Sequence, residues 1–190
     1  MLTLLGWMKN LDFTRINMSR VFFISDLHFG HKNLSGLRGM NSNTFDTLII
    51  DNWNKIVSKR DIVYVLGDIT MENHRSIPAY LSQLNGIIRI VGGNHDTRQC
   101  CDAIRNMGIT IMGCLEYKGF ICTHIPIHPH ELDGYYRGNI HGHIHNPDVD
   151  LGESYFNVVC ERIGYAPMLF DEIEAKFTGR KDKPHGFHNK

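Results

Sequence analysis

Val91-Gly92-Gly93-Asn94-His95-Asp96 places an amide oxygen, an imidazole and a carboxylate in consecutive positions, directly after the apolar run Ile87-Ile88-Arg89-Ile90. A short β-branched run ending in two glycines reads as a buried strand that breaks into a sharp turn. A neutral amide oxygen binds metal weakly alone, so this turn makes chemical sense only where charged ligands converge on it. Other predicted strand ends supply such ligands. Ser25-Asp26-Leu27-His28 follows Val21–Ile24, Gly67-Asp68 follows Asp61–Leu66, and Thr123-His124 follows Gly119–Cys122. His141-Gly142-His143-Ile144-His145 adds three alternating imidazoles. In extended backbone Asp26 and His28 would share one side, as would His141, His143 and His145.

Pooled, the strand ends offer Asp26, His28, Asp68, Asn94, His124, His143 and His145. This oxygen and imidazole set lacks thiolate, which disfavours structural zinc and favours manganese, iron or zinc in a catalytic role. The donors exceed what one ion takes. Two carboxylates leave two divalent ions with residual positive charge, which suits a phosphate substrate. Paired ions about 3.5–4 Å apart can hold a bridging water, lower its pKa and clamp phosphate oxygens.

Positioning these residues requires an α/β scaffold. The buried-strand runs alternate with helical spacing over Thr44–Lys59 (capped by Thr44 or Asn43) and Ile77–Leu84, and with a short helix over Asp102–Met107. Further strands are expected at 110–112, 154–162 and 167–170, with a closing helix over 171–177. Polar residues just past the carboxyl ends of strands sit where open α/β sheets bind ligands.

The totals agree. At 190 residues the chain fits one domain, read as residues 20–178, with an N-terminal appendage over 1–19 and a basic tail over 179–190. Met18 is an alternative start. Lys+Arg and Asp+Glu both total 20, so no global field draws in nucleic acid or an anionic membrane. Met1–Met8 is too short to span a bilayer, and five cysteines without a C-x-x-C pair point to a reducing cytoplasm.

The order Asp26-x-His28, Gly67-Asp68, Gly93-Asn94-His95-Asp96, His124, Gly142-His143-x-His145 resembles the calcineurin-like metallophosphoesterase superfamily, and its small prokaryotic and phage members in particular. The resemblance implies a four-layer α/β/β/α sandwich with a dinuclear centre at one end. It implies that Asp26, His28 and His145 hold one ion, that Asn94, His124 and His143 hold the other, and that Asp68 bridges. Manganese is the expected metal, with iron, zinc or nickel as alternatives. A metal-bridging hydroxide would attack phosphorus in line, His95 would stabilise charge or protonate the leaving oxygen, and Asp96 would orient that imidazole or cap the next helix.

His31, Asn33, Arg98 and His128 are the candidate substrate contacts, with Lys32 and Arg137 as further specificity positions. His141 matches no ligand of the family and reads as a packing residue. Departures from the family narrow the substrate. Gly67-Asp68 is followed by Ile69-Thr70, without the phosphate-clamping arginine of the protein phosphatases, and the 17 residues from Ile125 to His141 leave no room for a large cap. A phosphodiesterase acting on a small or nucleotide phosphodiester is the favoured reading. A phosphomonoesterase, a DNA nuclease and a non-catalytic scaffold of the same fold are the alternatives. Nucleic acid is the less favoured partner, and no membrane role is expected.

Overall fold

Each apolar run in the first half of the chain feeds two cores at once. In the computed structural model, which describes residues 19–31 and 42–177, four of these runs lie parallel in the order β4-β3-β2-β1. They are β1 (Val21–Ile24), β2 (Ile62–Val65), β3 (Ile87–Val91) and β4 (Thr110–Met112). The short β9 (Met168–Leu169) closes the β1 edge antiparallel. A second sheet runs β5 (Leu115–Tyr117), β6 (Phe120–Thr123), β7 (Gly138–His141), β8 (Tyr155–Asn157). Its first pair is an antiparallel hairpin and the others are parallel.

Parallel neighbours demand crossovers. α1 (Ser42–Ile56), α2 (Ile77–Leu81) and α3 (Arg98–Asn106) provide them in the first sheet, and α4 (Pro129–Leu132) lies in the β6–β7 connection. α5 (Phe170–Glu174) follows β9.

Alternation sorts the side chains. Phe22, Ile24, Val63 and Val65 join Phe45, Ile49, Trp53 and Ile104 in the core under the helices. Phe23, Tyr64 and Leu66 face the other way, against Phe120, Cys122, Ile140 and Phe170 between the sheets. A strand buried on both faces must read as continuously apolar, as these runs do. Trp53 is fully buried and its indole N–H donates to Asn85 O at 2.8 Å, so the largest core side chain leaves no unsatisfied donor.

The outer face of the second sheet is covered by the β6–β7 crossover. Buried Asn139 donates to Ile121 O and Thr123 Oγ1, and its Oδ1 accepts the Ile127 N–H. The result is a single domain built as an α/β sandwich whose fourth layer is this thin segment with α4.

Several boundaries differ from the sequence reading. α1 begins at Ser42, so a cap at Asn43 or Thr44 falls inside the helix. α3 begins at Arg98, because Thr97 Oγ1 accepts the Cys100 N–H and caps it; Asp96 is not the cap. The strand expected over 154–162 stops at Asn157, whose side chain accepts the Val159 N–H, and Cys160–Arg162 winds into a 3-10 turn. The appendage and start at Met18, the candidates Lys32 and Asn33, and the tail over 179–190 lie outside the described residues. Among the described residues no helix is long and apolar enough to cross a membrane. All five cysteines are free thiols.

Candidate metal centre

Backbone hydrogen bonds draw the carboxyl ends of both sheets to one rim. Ser25 N–H donates to Val158 O and Cys160 N–H to Ser25 O, which stitches β1 to the segment after β8. Asp26 N–H donates to Gly67 O and His28 N–H to Asp68 O, which zips the β1 and β2 ends together. Asp26, His28, Asp68 and His143 take left-handed φ values of 59°, 45°, 57° and 68°. For residues with a Cβ this costs about 1–3 kcal/mol each, and such strain persists only where surrounding bonds over-determine it.

Those bonds are specific. Asp26 Oδ2 accepts the His143 N–H at 2.9 Å and lies 2.5 Å from Ser25 Oγ. Its Oδ1 faces His145 Nε2 at 3.3 Å and His28 Nε2 at 3.5 Å. Asp68 repeats the pattern. Its Oδ1 accepts the His95 N–H at 2.9 Å, while Oδ2 faces His124, His28 and His95 Nε2 at 3.4, 3.6 and 3.9 Å. Each carboxylate is therefore anchored by one oxygen to the loop of another strand and offers the second oxygen to imidazoles. His124 Nε2 also meets Asn94 Oδ1 at 2.8 Å, its ring lies 5.1 Å from that of His143, and its Nδ1 lies 2.7 Å from Leu66 O. Glycine beside these ligands has a steric reason. A Cβ on Gly93 would collide with Asp68 Oδ1, and one on Gly142 with Ser25 Oγ and Asp26 Oδ2.

The donor set fits divalent ions. Asp26, His28 and His145 form one group that can share an ion, and Asp26, Asp68 and His124 a second. The nitrogen-to-carboxylate gaps exceed ordinary N–H···O bonds. They approach the roughly 3.0–3.4 Å expected between two ligands of a common ion. Asp26 is common to both groups, and Asp68 Oδ2 faces His28 of the first and His124 of the second. Asp26, His28 and His124 are buried and His145 is partly so, whereas Asn94 and His143 are exposed and open the set to solvent.

Charge is already paired there. Burial pushes both Asp26 and Asp68 carboxyls up, but His145, His28 and Ser25 around the first, and His124 and the His95 N–H around the second, outweigh it. Both are held below the usual carboxylate range. Burial lowers His124, yet the Asp68 and Asp26 carboxylates raise it overall. His145 is raised to about 9 by Asp26 and then Glu161, against burial.

His95 and His31 border the set, with ring centroids 5.5 and 5.8 Å from that of His28. Other expectations are corrected. Asp96 does not orient His95: its Oδ2 accepts the Asp68 and Gly93 N–H groups at 2.9 and 2.8 Å, and its Oδ1 the Ile69 N–H at 3.0 Å. The three alternating imidazoles do not share a face, because β7 ends at His141 and the chain turns left-handed at His143. His143 then turns toward His124 and His145 toward Asp26, while His141 stays buried, its Nδ1 2.8 Å from Gly142 O. Burial lowers His141 to about 4.

Arg98 is exposed and faces Asp102, 3.9 Å away. His128 is exposed and caps α4 by accepting the His130 N–H. Arg137 pairs with Glu174 at the amino end of β7, the end opposite the ligands. Glu161 escaped the sequence reading although its Oε2 lies 3.5 Å from His145 Nδ1; no spacing marks it, since a turn brings it in. A cavity of about 270 Å³ lies beside the His143–His145 loop, lined by Ile144, Val149, Leu151, Tyr155, Asn157 and Arg162 among others.

No family model matches the chain. A Methanocaldococcus jannaschii protein described as uncharacterized protein MJ1445 is 32% identical over 178 residues, spanning 83% of this chain and 91% of that protein. The chain belongs to the MJ1445 family. The fold is shared with a protein of unknown function from Aquifex aeolicus, AQ665, at a TM-score of 0.70 and 26% identity, covering 83% of this chain and 99% of that one. A Pseudomonas putida nuclease, MPE, overlaps at a TM-score of only 0.46 and 19% identity, over 66% of this chain and 61% of its own, which carries no argument for the MJ1445 family.

Proposed function

We propose that this protein is a dinuclear metal-dependent phosphoesterase of the calcineurin-like type, acting as a phosphodiesterase on a small or nucleotide phosphodiester. The carrying observation is the pair of carboxylates, each anchored by a backbone N–H, whose second oxygens face the imidazoles of His28, His95, His124 and His145. In this reading Asp26, His28 and His145 hold one ion, Asn94, His124 and His143 the other, and Asp68 faces both. Two divalent ions, manganese foremost, would supply Lewis acidity toward a phosphoryl group and an activated water.

The chain's own groups do the rest. Asp26 and Asp68 hold the ligand imidazoles in place. His95, exposed at the rim with its Nε2 3.9 Å from Asp68 Oδ2, delivers a proton to the leaving oxygen. His31 borders the same mouth beside His28. The segment after the Gly67-Asp68 motif supports a diester. Ile69-Thr70-Met71-Glu72 brings no guanidinium, which a dianionic monoester would require more than a singly charged diester.

The test is hydrolysis of bis-p-nitrophenyl phosphate against p-nitrophenyl phosphate, with manganese supplied and then chelated, alongside His95→Ala and Asp68→Ala proteins. Metal-dependent turnover of the diester, lost in both variants, supports the assignment. A preference for the monoester makes it a phosphatase. No metal uptake sinks the reading.

A further inference from the structure

The two sides of the centre are backed differently. Behind His124, Nδ1 meets the neutral carbonyl of Leu66 at 2.7 Å. Behind His145, Nδ1 is closed off from solvent and faces the Glu161 carboxylate at 3.5 Å, while Nε2 faces Asp26 Oδ1 at 3.3 Å. His145 is thus held between a carboxylate inside the ligand set and one outside it.

The fold places Glu161 there by design of the backbone rather than by sequence neighbourhood. Cys160 N–H donates to Ser25 O, which ties the 3-10 turn Cys160–Arg162 to the strand end that carries Asp26. Arg162 donates to the carbonyls of Asn146 and Val149. The same turn therefore grips the loop after His145 with Arg162 and backs His145 itself with Glu161.

We infer that Glu161 is a positioning residue for His145, which makes the Asp26–His28–His145 side the tighter and first-filled of the two ion positions. This rests on the dinuclear reading above. The physical argument has two parts. A carboxylate facing Nδ1 keeps the proton on that nitrogen, so the Nε2 lone pair points at the ion and the ring cannot flip. Its negative charge, added to that of Asp26, also lies where water screens it least, since Glu161 Oε2 and Asp26 Oδ1 are both closed off from solvent. On the Asn94–His124–His143 side, His124 Nε2 also faces a carboxylate, Asp68, but its Nδ1 has only the neutral Leu66 carbonyl behind it, and Asn94 and His143 are exposed.

The experiment is calorimetric titration of the metal-free full chain with manganese, with metal content checked after dialysis. The parent is expected to take up two ions per chain in two affinity classes. Glu161→Gln, which keeps the size and removes the charge, weakens the tighter class about 10–100-fold and leaves the weaker class unchanged. His145→Ala abolishes that same class. Metal-free Glu161→Gln unfolds thermally with the parent, which separates positioning from loss of structure. Parent-like binding in Glu161→Gln, or equal weakening of both classes, overturns the inference while the dinuclear reading stands. A parent that binds no manganese overturns both.

Discussion

Replacing Asp96 separates two roles that its position in the motif leaves confounded. Its carboxylate accepts the N–H groups of Asp68, Ile69 and Gly93 at 2.9, 3.0 and 2.8 Å. It thereby ties the β2 end to the β3 end and sets where Asp68 enters the site. Hydrogen bonds to a charged acceptor contribute about 1.5–3 kcal/mol each, and a buried N–H left without a partner costs about 1–3 kcal/mol. Asp96→Ala strands all three donors, and with water reaching the part-buried Gly93 N–H the loss is on the order of 4 kcal/mol. Asp96→Asn keeps one oxygen for two amides and turns its NH2 against the third, a loss of about 2 kcal/mol. For a chain this long each kcal/mol lowers the melting midpoint by roughly 2–4 °C. The expected drops are therefore about 4–8 °C for Asn and about 8–16 °C for Ala, read by thermal and urea unfolding of the metal-free proteins. Metal uptake should weaken in the same order. Were Asp96 instead the partner of the His95 imidazole, Asp96→Asn would keep the parent's melting point and alter only the pH profile of turnover. A midpoint within about 2 °C of the parent for Asp96→Ala would refute the anchoring argument.

Further outcomes follow from other contacts. Gly142→Ala should fold yet bind manganese poorly, because its Cβ would strike Ser25 Oγ and Asp26 Oδ2; metal content after dialysis checks this. His95→Ala should take up manganese like the parent while turnover falls about 10²–10⁴-fold, the usual share of a lost general acid. Asp61 accepts the Arg20 and Ser58 N–H groups and the Arg20 guanidinium. Burial alone would raise its carboxyl, but these donors hold it well below its ordinary value near 3.8. Its contribution is therefore complete above that value and drains away as the pH falls below it. Asp61→Asn should be less stable than the parent at neutral pH, with the gap in urea unfolding unchanged down to about pH 4 and beginning to narrow only below the ordinary value near 3.8.

The candidate ligands, and the strands that carry them, are legible from local pattern. A strand buried on both faces must be apolar throughout, so Val21–Ile24 and Ile62–Val65 announced themselves, and polar residues at their ends stood out as donors. The glycines before Asn94 signalled a tight turn, though only the structure shows the Asp68 oxygen that forbids a Cβ at Gly93, and nothing in the sequence marked the Asp26 oxygen that does the same at Gly142. What local pattern cannot carry is the direction of a side chain beyond the last strand residue. Left-handed backbone at Asp26, His28, Asp68 and His143 breaks the alternation that would have put His141 with His143 and His145. Asp96 serves amides nearly thirty positions away as well as its own turn, so its task belongs to the contact between β2 and β3. Glu161 and Arg137 make the same point from opposite ends of the second sheet: a 3-10 turn tied to Ser25 brings one to the ligands, and the register of β7 puts the other at the far edge. Sequence determined which atoms are available to bind an ion. Long-range hydrogen bonds decided which of them meet.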